Sequence, residues 1–242
     1  MESRETNLHL RDGDRVLVIM AKAPRPGTVK TRLLRSIPAE AVTDLYRRLL
    51  DDTMALAHSL SGVKVAVMCP ASDVQELAQL AGLATAIVAQ QGDGLAAGLI
   101  SVFARFAASG RQHVIAFNSD TPHLPVSVLA SAFEMLSAHD VVVGPTHDGG
   151  YYLVGAKGLH AALFQGDGMG TTSALDALRA RAHKLQLSVG FTEPFYDVDV
   201  EADLTRLADE LRLAPERAPR TAAWLKEWQE IVPRLQNTAG NL

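Results

Sequence analysis

An aspartate stands just past an apolar run, Val114–Phe117, in the stretch Asn118-Ser119-Asp120-Thr121-Pro122. If that run is a buried strand, Asp120 sits at its carboxyl end, where open parallel sheets bind their ligands. Pro122 stiffens the turn that follows. A carboxylate so placed suits a hard divalent ion such as Mg²⁺ or Mn²⁺, which takes oxygen ligands from protein carboxylates and substrate phosphates. It would equally suit a turn or helix cap. Tyr196-Asp197-Val198-Asp199 offers a second acidic site. In an extended segment side chains repeat every two residues, so Asp197 and Asp199 share a face. One of them could complete a metal site with Asp120, or Asp199 could serve as the N-cap of the helix expected near Glu201.

The complementary charge lies early in the chain. Ala21–Arg32 gathers Lys22, Arg25, Lys30 and Arg32 around Gly27. Such a loop, running into the unpaired N–H groups of a helix start, can cradle phosphates; it could also be a solvated basic helix start. Gly27-Thr28-Val29-Lys30-Thr31 lacks P-loop spacing, and no G-x-G-x-x-G follows the first apolar run. A nicotinamide or flavin cofactor is therefore not expected. In His147-Asp148-Gly149-Gly150, the paired glycines permit positive φ or close backbone approach to a ligand. Asp148 could bind a hydroxyl or take its proton, although a plain hairpin turn would read the same. No H-E-x-x-H or G-x-S-x-G occurs, so zinc-protease and serine-hydrolase chemistry lack support.

These loops need a scaffold, and the apolar pattern supplies one. Arg15–Met20 is a short, β-branched run of the kind buried on both faces of a sheet, and so central in it. The spacing predicts a helix over Ala39–Leu60, a strand over Val63–Met68, a helix near Asp73–Ala81, a strand near Ala86–Ala89 and a helix over Leu95–Ala108. Strand Val114–Phe117, helix Val126–Ala138 and strand Val141–Val143 continue the alternation. Strand followed by helix, repeated, means a largely parallel sheet with helices on both faces. After Pro145 a turn leads straight into another strand, which predicts an antiparallel addition. A helix near Ser173–Lys184, a strand near Gln186–Phe191 and helices near Glu201–Leu211 and Ala222–Ile231 complete the pattern. The expectation is one α/β domain over residues 14–236, Rossmann-like with a mixed, mainly parallel sheet flanked by helices, between a disordered tail at 1–13 and a flexible one at 237–242.

Composition narrows the partners. With 242 residues, 48% of them hydrophobic, the chain can bury a full core. A formal net charge of -4 argues against general nucleic-acid affinity, so anion binding must be local. Cys69 is the only cysteine, which precludes an intrachain disulfide and a thiolate-rich metal site, and fits a reducing, cytoplasmic setting. The charged first residues do not read as a secretory signal, and no stretch has the roughly 18 unbroken apolar residues of a membrane span.

Together, VIMAKAPRPGTVKTRL, FNSDTPHL, VVVGPTHDGGYYLVG and FYDVDVEADL resemble, in order and spacing, a bacterial glycosyltransferase family of the nucleotide-diphospho-sugar transferase type. Some of its members are assigned to arsenosugar biosynthesis. That family is similar to the molybdenum-cofactor and phospholactate guanylyltransferases and shares their glycosyltransferase A-type fold. The resemblance runs from about Val16 to Leu207 and implies a metal-dependent transferase with a nucleotide-activated donor, either a nucleotide sugar or a nucleoside triphosphate, and a small-molecule acceptor. It implies that Lys22, Arg25, Gly27, Lys30 and Arg32 face the donor phosphates, with Asp93 at the donor. Asp120 and Asp199 would be the metal ligands, Asp120 and Asp148 the catalytic pair, and Asp148, Gly149, Gly150, Tyr151 and Thr171 the acceptor or sugar contacts. Two stretches depart from the family. Asp93-Gly94-Leu95-Ala96-Ala97 replaces an Asp-Leu-Gly-Glu-Arg run, and Gly168-Met169-Gly170-Thr171-Thr172 replaces a Pro-Trp-Ser-Thr type stretch.

Overall fold

The computed structural model describes residues 15–166 and 170–228. The expected tails, 1–13 and 237–242, lie outside these, as do Gly168, Met169 and the end of the helix expected near Ala222–Ile231.

The chain is α/β. Seven strands form one sheet: β1 (Arg15–Met20), β2 (Val63–Cys69), β3 (Ala86–Ala89), β4 (His113–Asn118), β5 (Val141–Pro145), β6 (Tyr151–Ala156) and β7 (Val189–Phe191), in the order β3-β2-β1-β4-β6-β5-β7. β1 pairs in parallel with β2 on one side and β4 on the other, the central place its unbroken apolar run predicts. β6 is the antiparallel strand, and it is not an edge addition: it lies between β4 and β5. The cause is local. β5 and β6 are joined by the turn at Thr146–Gly150, closed by the Thr146 N–H donating to the Gly150 carbonyl at 3.0 Å, and so short a connection can only join antiparallel neighbours.

The helices are α1 (Ala39–His58), α2 (Val74–Ala81), α3 (Gly94–Ala108), α4 (Val126–Ala138), α5 (Ala161–Phe164), α6 (Ala174–Lys184) and α7 (Glu201–Leu213). A further helical stretch covers residues 219–228. None among the described residues is long and apolar enough to cross a membrane.

Contacts group the described residues into two compact units, one within 15–23, 56–119 and 125–196, the other within 24–55, 120–124 and 197–228. The first holds the whole sheet. Alternate residues Val16, Val18, Val114, Ala116, Val141, Val143, Val154 and Ala156 share a core with Phe103 of α3, Phe164 of α5 and Leu178 of α6. The Phe103 and Phe164 rings stack there at 5.0 Å. The opposite alternation, Leu17, Ile19, Ile115, Phe117, Val142 and Leu153, is also buried, so neither face of the sheet is left to water.

The second unit contains most of α1, then α7 and helix 219–228. Its least obvious fastening is Asp52 of α1, only 2% exposed. The Asp52 carboxylate accepts the Thr221 N–H and hydroxyl, both at 2.8 Å, and the Arg220 N–H at 3.3 Å. A residue distant in sequence thus supplies the acceptor that the first N–H groups of helix 219–228 need.

Two expected elements differ. The helix start expected at the end of the basic loop is only a 3₁₀ turn at Leu33–Arg35, because Lys30 adopts φ +47, which breaks any helix. β7 begins at Val189 rather than Gln186, because Gln186 has φ +56 and the Leu187 N–H still donates to Ala182 in the closing turn of α6.

Candidate functional site

Two loop systems hold the residues singled out by sequence, one in each unit. In the second unit the basic loop is folded by its own backbone. The Thr28 N–H and hydroxyl donate to the Arg25 carbonyl at 3.1 and 2.9 Å, and the Leu33 N–H donates to that of Lys30 at 2.9 Å. Gly27 takes φ +76 without cost, but Lys30 at φ +47 holds a conformation unusual for a residue with a Cβ. Such strain persists where surrounding contacts fix it, and here they do. The Lys30 side chain is 3% exposed, with Nζ 2.9 Å from Oδ1 of Asp120 and 3.0 Å from Oδ1 of Asp199. The exposed Arg32 reaches Oδ2 of Asp199 at 3.3 Å.

The two acidic segments are tied directly, since the Val198 N–H donates to the Asp120 carbonyl at 3.1 Å. Asp199 is not the N-cap of α7. That position is Val200, and Asp203 from the first turn accepts the N–H groups of Asp199 and Val200 at 3.0 and 2.9 Å. The Asp199 carboxylate is thereby left to Lys30 and Arg32.

Asp197 joins the same cluster: one carboxylate oxygen from each of Asp120, Asp197 and Asp199 lies within 4.8 Å of the others. Of the Asp197 and Asp199 pair, the family resemblance points to Asp199 alone as a metal ligand, whereas the shared face of the Asp-x-Asp step is a signal for both. Burial, then the neighbouring charges of Asp199 and Asp120, pushes the Asp197 carboxyl up to about 6, with Lys30 only partly opposing this. Burial alone would lower the Lys30 ammonium, but Asp120 and Asp199 overcome it and raise it, so the lysine stays charged. Three carboxylates against the buried Lys30 ammonium and the Arg32 guanidinium leave a local charge near -1. All-oxygen donors with that charge suit a hard divalent cation such as Mg²⁺ or Mn²⁺.

In the first unit, exposed Lys22 begins the basic loop, and the next residue is pinned by a group the sequence gave no reason to select. Asp73, 5% exposed, accepts the Ala23 N–H at 2.9 Å and the Ser72 hydroxyl at 2.8 Å.

The other predicted site residues of this unit lie on loops that meet. Asp148 is exposed at the β5–β6 turn, its Oδ1 accepting the Thr146 hydroxyl at 2.5 Å and the Gly150 N–H at 3.2 Å. Gly149 takes φ +88, and a Cβ there would fall 2.0 Å from the Thr172 carbonyl oxygen, so only glycine allows the close approach. The Gly149 carbonyl accepts the Leu175 N–H at 3.0 Å, and the Thr171 hydroxyl lies 2.9 Å from that of Ser173. Gly170 approaches Leu95 in the first turn of α3, where Asp93 is the exposed N-cap residue between Gly92 and Gly94, both at positive φ. Tyr151 opens β6, and burial pushes its phenol up, so it is neutral at ordinary pH.

Comparison with known proteins gives three kinds of result. Residues 53–171 match the model of a family described as an uncharacterized protein conserved in bacteria, DUF2064. No curated protein matches the chain. Among solved structures, a provisionally named nucleotide-diphospho-sugar transferase from Desulfovibrio desulfuricans G20 superposes with a TM-score of 0.84 at 24% identity, over 92% of this chain and 98% of that one. A nucleotidyl transferase from Methanothermobacter thermautotrophicus gives 0.53 at 15% identity, covering 84% and 100%. Rv0371c from Mycobacterium tuberculosis H37Rv gives 0.51 at 17% identity, covering 82% and 100%. At these identities the likeness is one of fold: the chain has the α/β fold seen in nucleotide-diphospho-sugar transferase-like and nucleotidyl transferase structures.

Proposed function

We propose that this chain is a divalent-metal-dependent transferase acting on a nucleotide-activated donor, and that it moves a glycosyl group from a nucleotide-diphospho-sugar to a small-molecule acceptor. The observation that carries the reading is the convergence of Asp120, Asp197 and Asp199 on the buried Lys30 ammonium, with Arg32 alongside. Far-separated acidic and basic segments meet there in the pattern needed to hold a cation and a polyphosphate together. Fold likeness to the Desulfovibrio protein supports glycosyl transfer as the reaction.

Asp120, Asp197 and Asp199 would hold Mg²⁺ or Mn²⁺, which when bound neutralises charge on the donor's diphosphate. Arg32, Arg25 and Lys22 bind phosphate oxygens with side-chain charge, and the turn at Gly27 leaves backbone there open to close approach. Lys30 keeps the carboxylates from repelling one another. Asp148, oriented through Oδ1 by Thr146 and Gly150, takes the proton of the acceptor hydroxyl. The bond from anomeric carbon to diphosphate breaks, that from anomeric carbon to acceptor oxygen forms, and the nucleoside diphosphate leaves. Gly149, Gly150, Tyr151 and Thr171 line the acceptor's side, and Asp93 contacts the donor.

A second reading draws on the number of cations in Ala21–Arg32 and on fold likeness to the Methanothermobacter nucleotidyl transferase. In it a phosphorylated acceptor attacks the α-phosphorus of a nucleoside triphosphate and pyrophosphate leaves. A catalytically silent nucleotide-binding protein is the third. Thermal-shift screening of nucleotide sugars and nucleoside triphosphates, with and without Mg²⁺ or Mn²⁺, separates the donor classes, because stabilisation follows RT ln(1 + [L]/Kd). Nucleoside diphosphate release supports the first reading and pyrophosphate release the second. Donor binding without turnover on any acceptor supports the third, no metal-dependent stabilisation removes the first two, and no stabilisation by either donor class, with or without metal, removes all three.

A further inference from the structure

Asp120 is carried by a tight turn whose far end is gripped from another element. The Leu124 N–H donates to the Thr121 carbonyl at 3.2 Å, and Thr121 and His123 are fully buried. Arg217, in the 3₁₀ turn Pro215–Arg217 just beyond α7, donates from its guanidinium to the His123 carbonyl oxygen. Its other terminal nitrogen lies 3.8 Å from Oε2 of Glu210. Glu210 in turn takes Arg206 Nε on Oε1 at 3.1 Å and has Oε2 4.0 Å from His123 Nε2. Burial and the two arginines push the His123 imidazole down to about 3, so it is neutral at ordinary pH and the ionic contact of Glu210 is with arginine.

The same helical arm touches the acidic cluster at its other end. Asp199 stands next to Val200, the N-cap of α7, and the Val198 N–H is bonded to the Asp120 carbonyl. The Asp120 turn is thus fastened at both ends: at Asp120 to the segment that brings Asp197 and Asp199, and at His123 to the residue that ends the arm beginning with them. A guanidinium meets this task because its forked donors can serve a carbonyl and a carboxylate at once. We infer that Arg217 is a positioning residue for the metal site, setting the distance of Asp120 from Asp197 and Asp199 through the His123 carbonyl, with Glu210 as its anchor. This rests on the reading of the acidic cluster as a cation site.

The test measures Mn²⁺ binding to the full-length protein by calorimetry and by the electron paramagnetic resonance signal of free Mn²⁺, well below the melting temperature of every variant. Groups that orient ligands typically change metal affinity by about 10- to 100-fold. Arg217→Met should weaken Mn²⁺ binding by about 10-fold or more, and Arg217→Lys, which can still donate to the carbonyl, should recover most of that loss. Glu210→Gln, a milder change should Arg217→Met fail to fold, should weaken binding several-fold. Thr221→Val is the control: it destabilises the same unit through the Asp52 fastening, away from the turn, and should leave Mn²⁺ affinity unchanged. Unaltered affinity in Arg217→Met and Glu210→Gln, or an equal loss in Thr221→Val, overturns the positioning role while leaving the cation site standing. Failure of the wild-type protein to bind Mn²⁺ removes the cation site itself, and the inference with it.

Discussion

Replacing Lys30 by Met keeps the length of the side chain and the strain of a non-glycine residue at φ +47, so the change isolates the ammonium. At an effective dielectric of about 20, a unit charge pair near 3 Å interacts by about 5 kcal/mol, and Lys30 makes such pairs at 2.9 and 3.0 Å. Most of that gross attraction is offset by taking an ammonium into a site where 3% of its side chain sees water. Asp199, 37% exposed and shared with Arg32, is partly screened and deserves a further discount. What remains on removing one partner is the penalty of leaving half-buried carboxylates uncompensated, about 2–3 kcal/mol, less than for a fully buried pair. For a chain of this size that is a fall of roughly 4–12 °C in melting temperature, measured in EDTA at pH 7.5. The variant should then regain more from saturating Mn²⁺ than the wild type does, because the ion meets three carboxylates without a competing ammonium. Its Mn²⁺ affinity should rise while its affinity for a nucleoside diphosphate falls or holds. A drop below about 2 °C, or equal stabilisation of both proteins by Mn²⁺, would show that the carboxylates do not depend on Lys30 and would falsify the charge balance drawn for this site.

Other measurements probe the same structure separately. In chelated protein, Asp197 has a folded-state value near 6, above its unfolded one. The folded state therefore binds the extra proton between about pH 4 and 6, and stability falls as pH rises through that window, by about 2–3 kcal/mol from this group. Urea unfolding at pH 5 and pH 7.5 should show about half of that loss, roughly 1.5 kcal/mol, saturating Mn²⁺ should reduce it, and a flat profile in EDTA would contradict it. Asp52→Ala leaves the Thr221 N–H and hydroxyl without the acceptor they share in a fully buried place. It should cost about 3 kcal/mol by urea unfolding, and a cost under 1 kcal/mol would mean the fastening is replaced by water. Gly149→Ala meets a backbone oxygen at 2.0 Å as well as a forbidden φ, whereas Gly27→Ala meets only the φ penalty, with open space around it. The first should cost more than about 2 kcal/mol and the second about 1; equal losses would show that the Thr172 contact is not rigid.

What the sequence disclosed and what it hid divide along a physical line. β1 and α4 are found where the apolar pattern predicts them, because a strand buried on both faces and a helix with one buried face are selected by local periodicity alone. The antiparallel β6 was likewise legible, since a turn too short to cross the sheet permits no other direction. Its place between β4 and β5 was not, being decided by packing over the whole sheet.

At the site, the residue types marked Lys30, Asp120 and Asp199 as candidates, but their meeting depends on contacts 169 positions apart. Asp197 and Asp199 looked interchangeable from the alternation, and the structure places both in the acidic cluster. The helix-cap role open to Asp199 passed to Asp203, a competition between two acidic residues that spacing could not decide. Lys30 shows why the remainder was hidden. Its backbone conformation breaks the helix that its neighbours' spacing suggests, and that break is what turns its ammonium toward the carboxylates rather than along a helix face. A local rule fails there because a buried charge balance assembled from three separate segments outweighs it, and such departures are expected where side chains are held for chemistry.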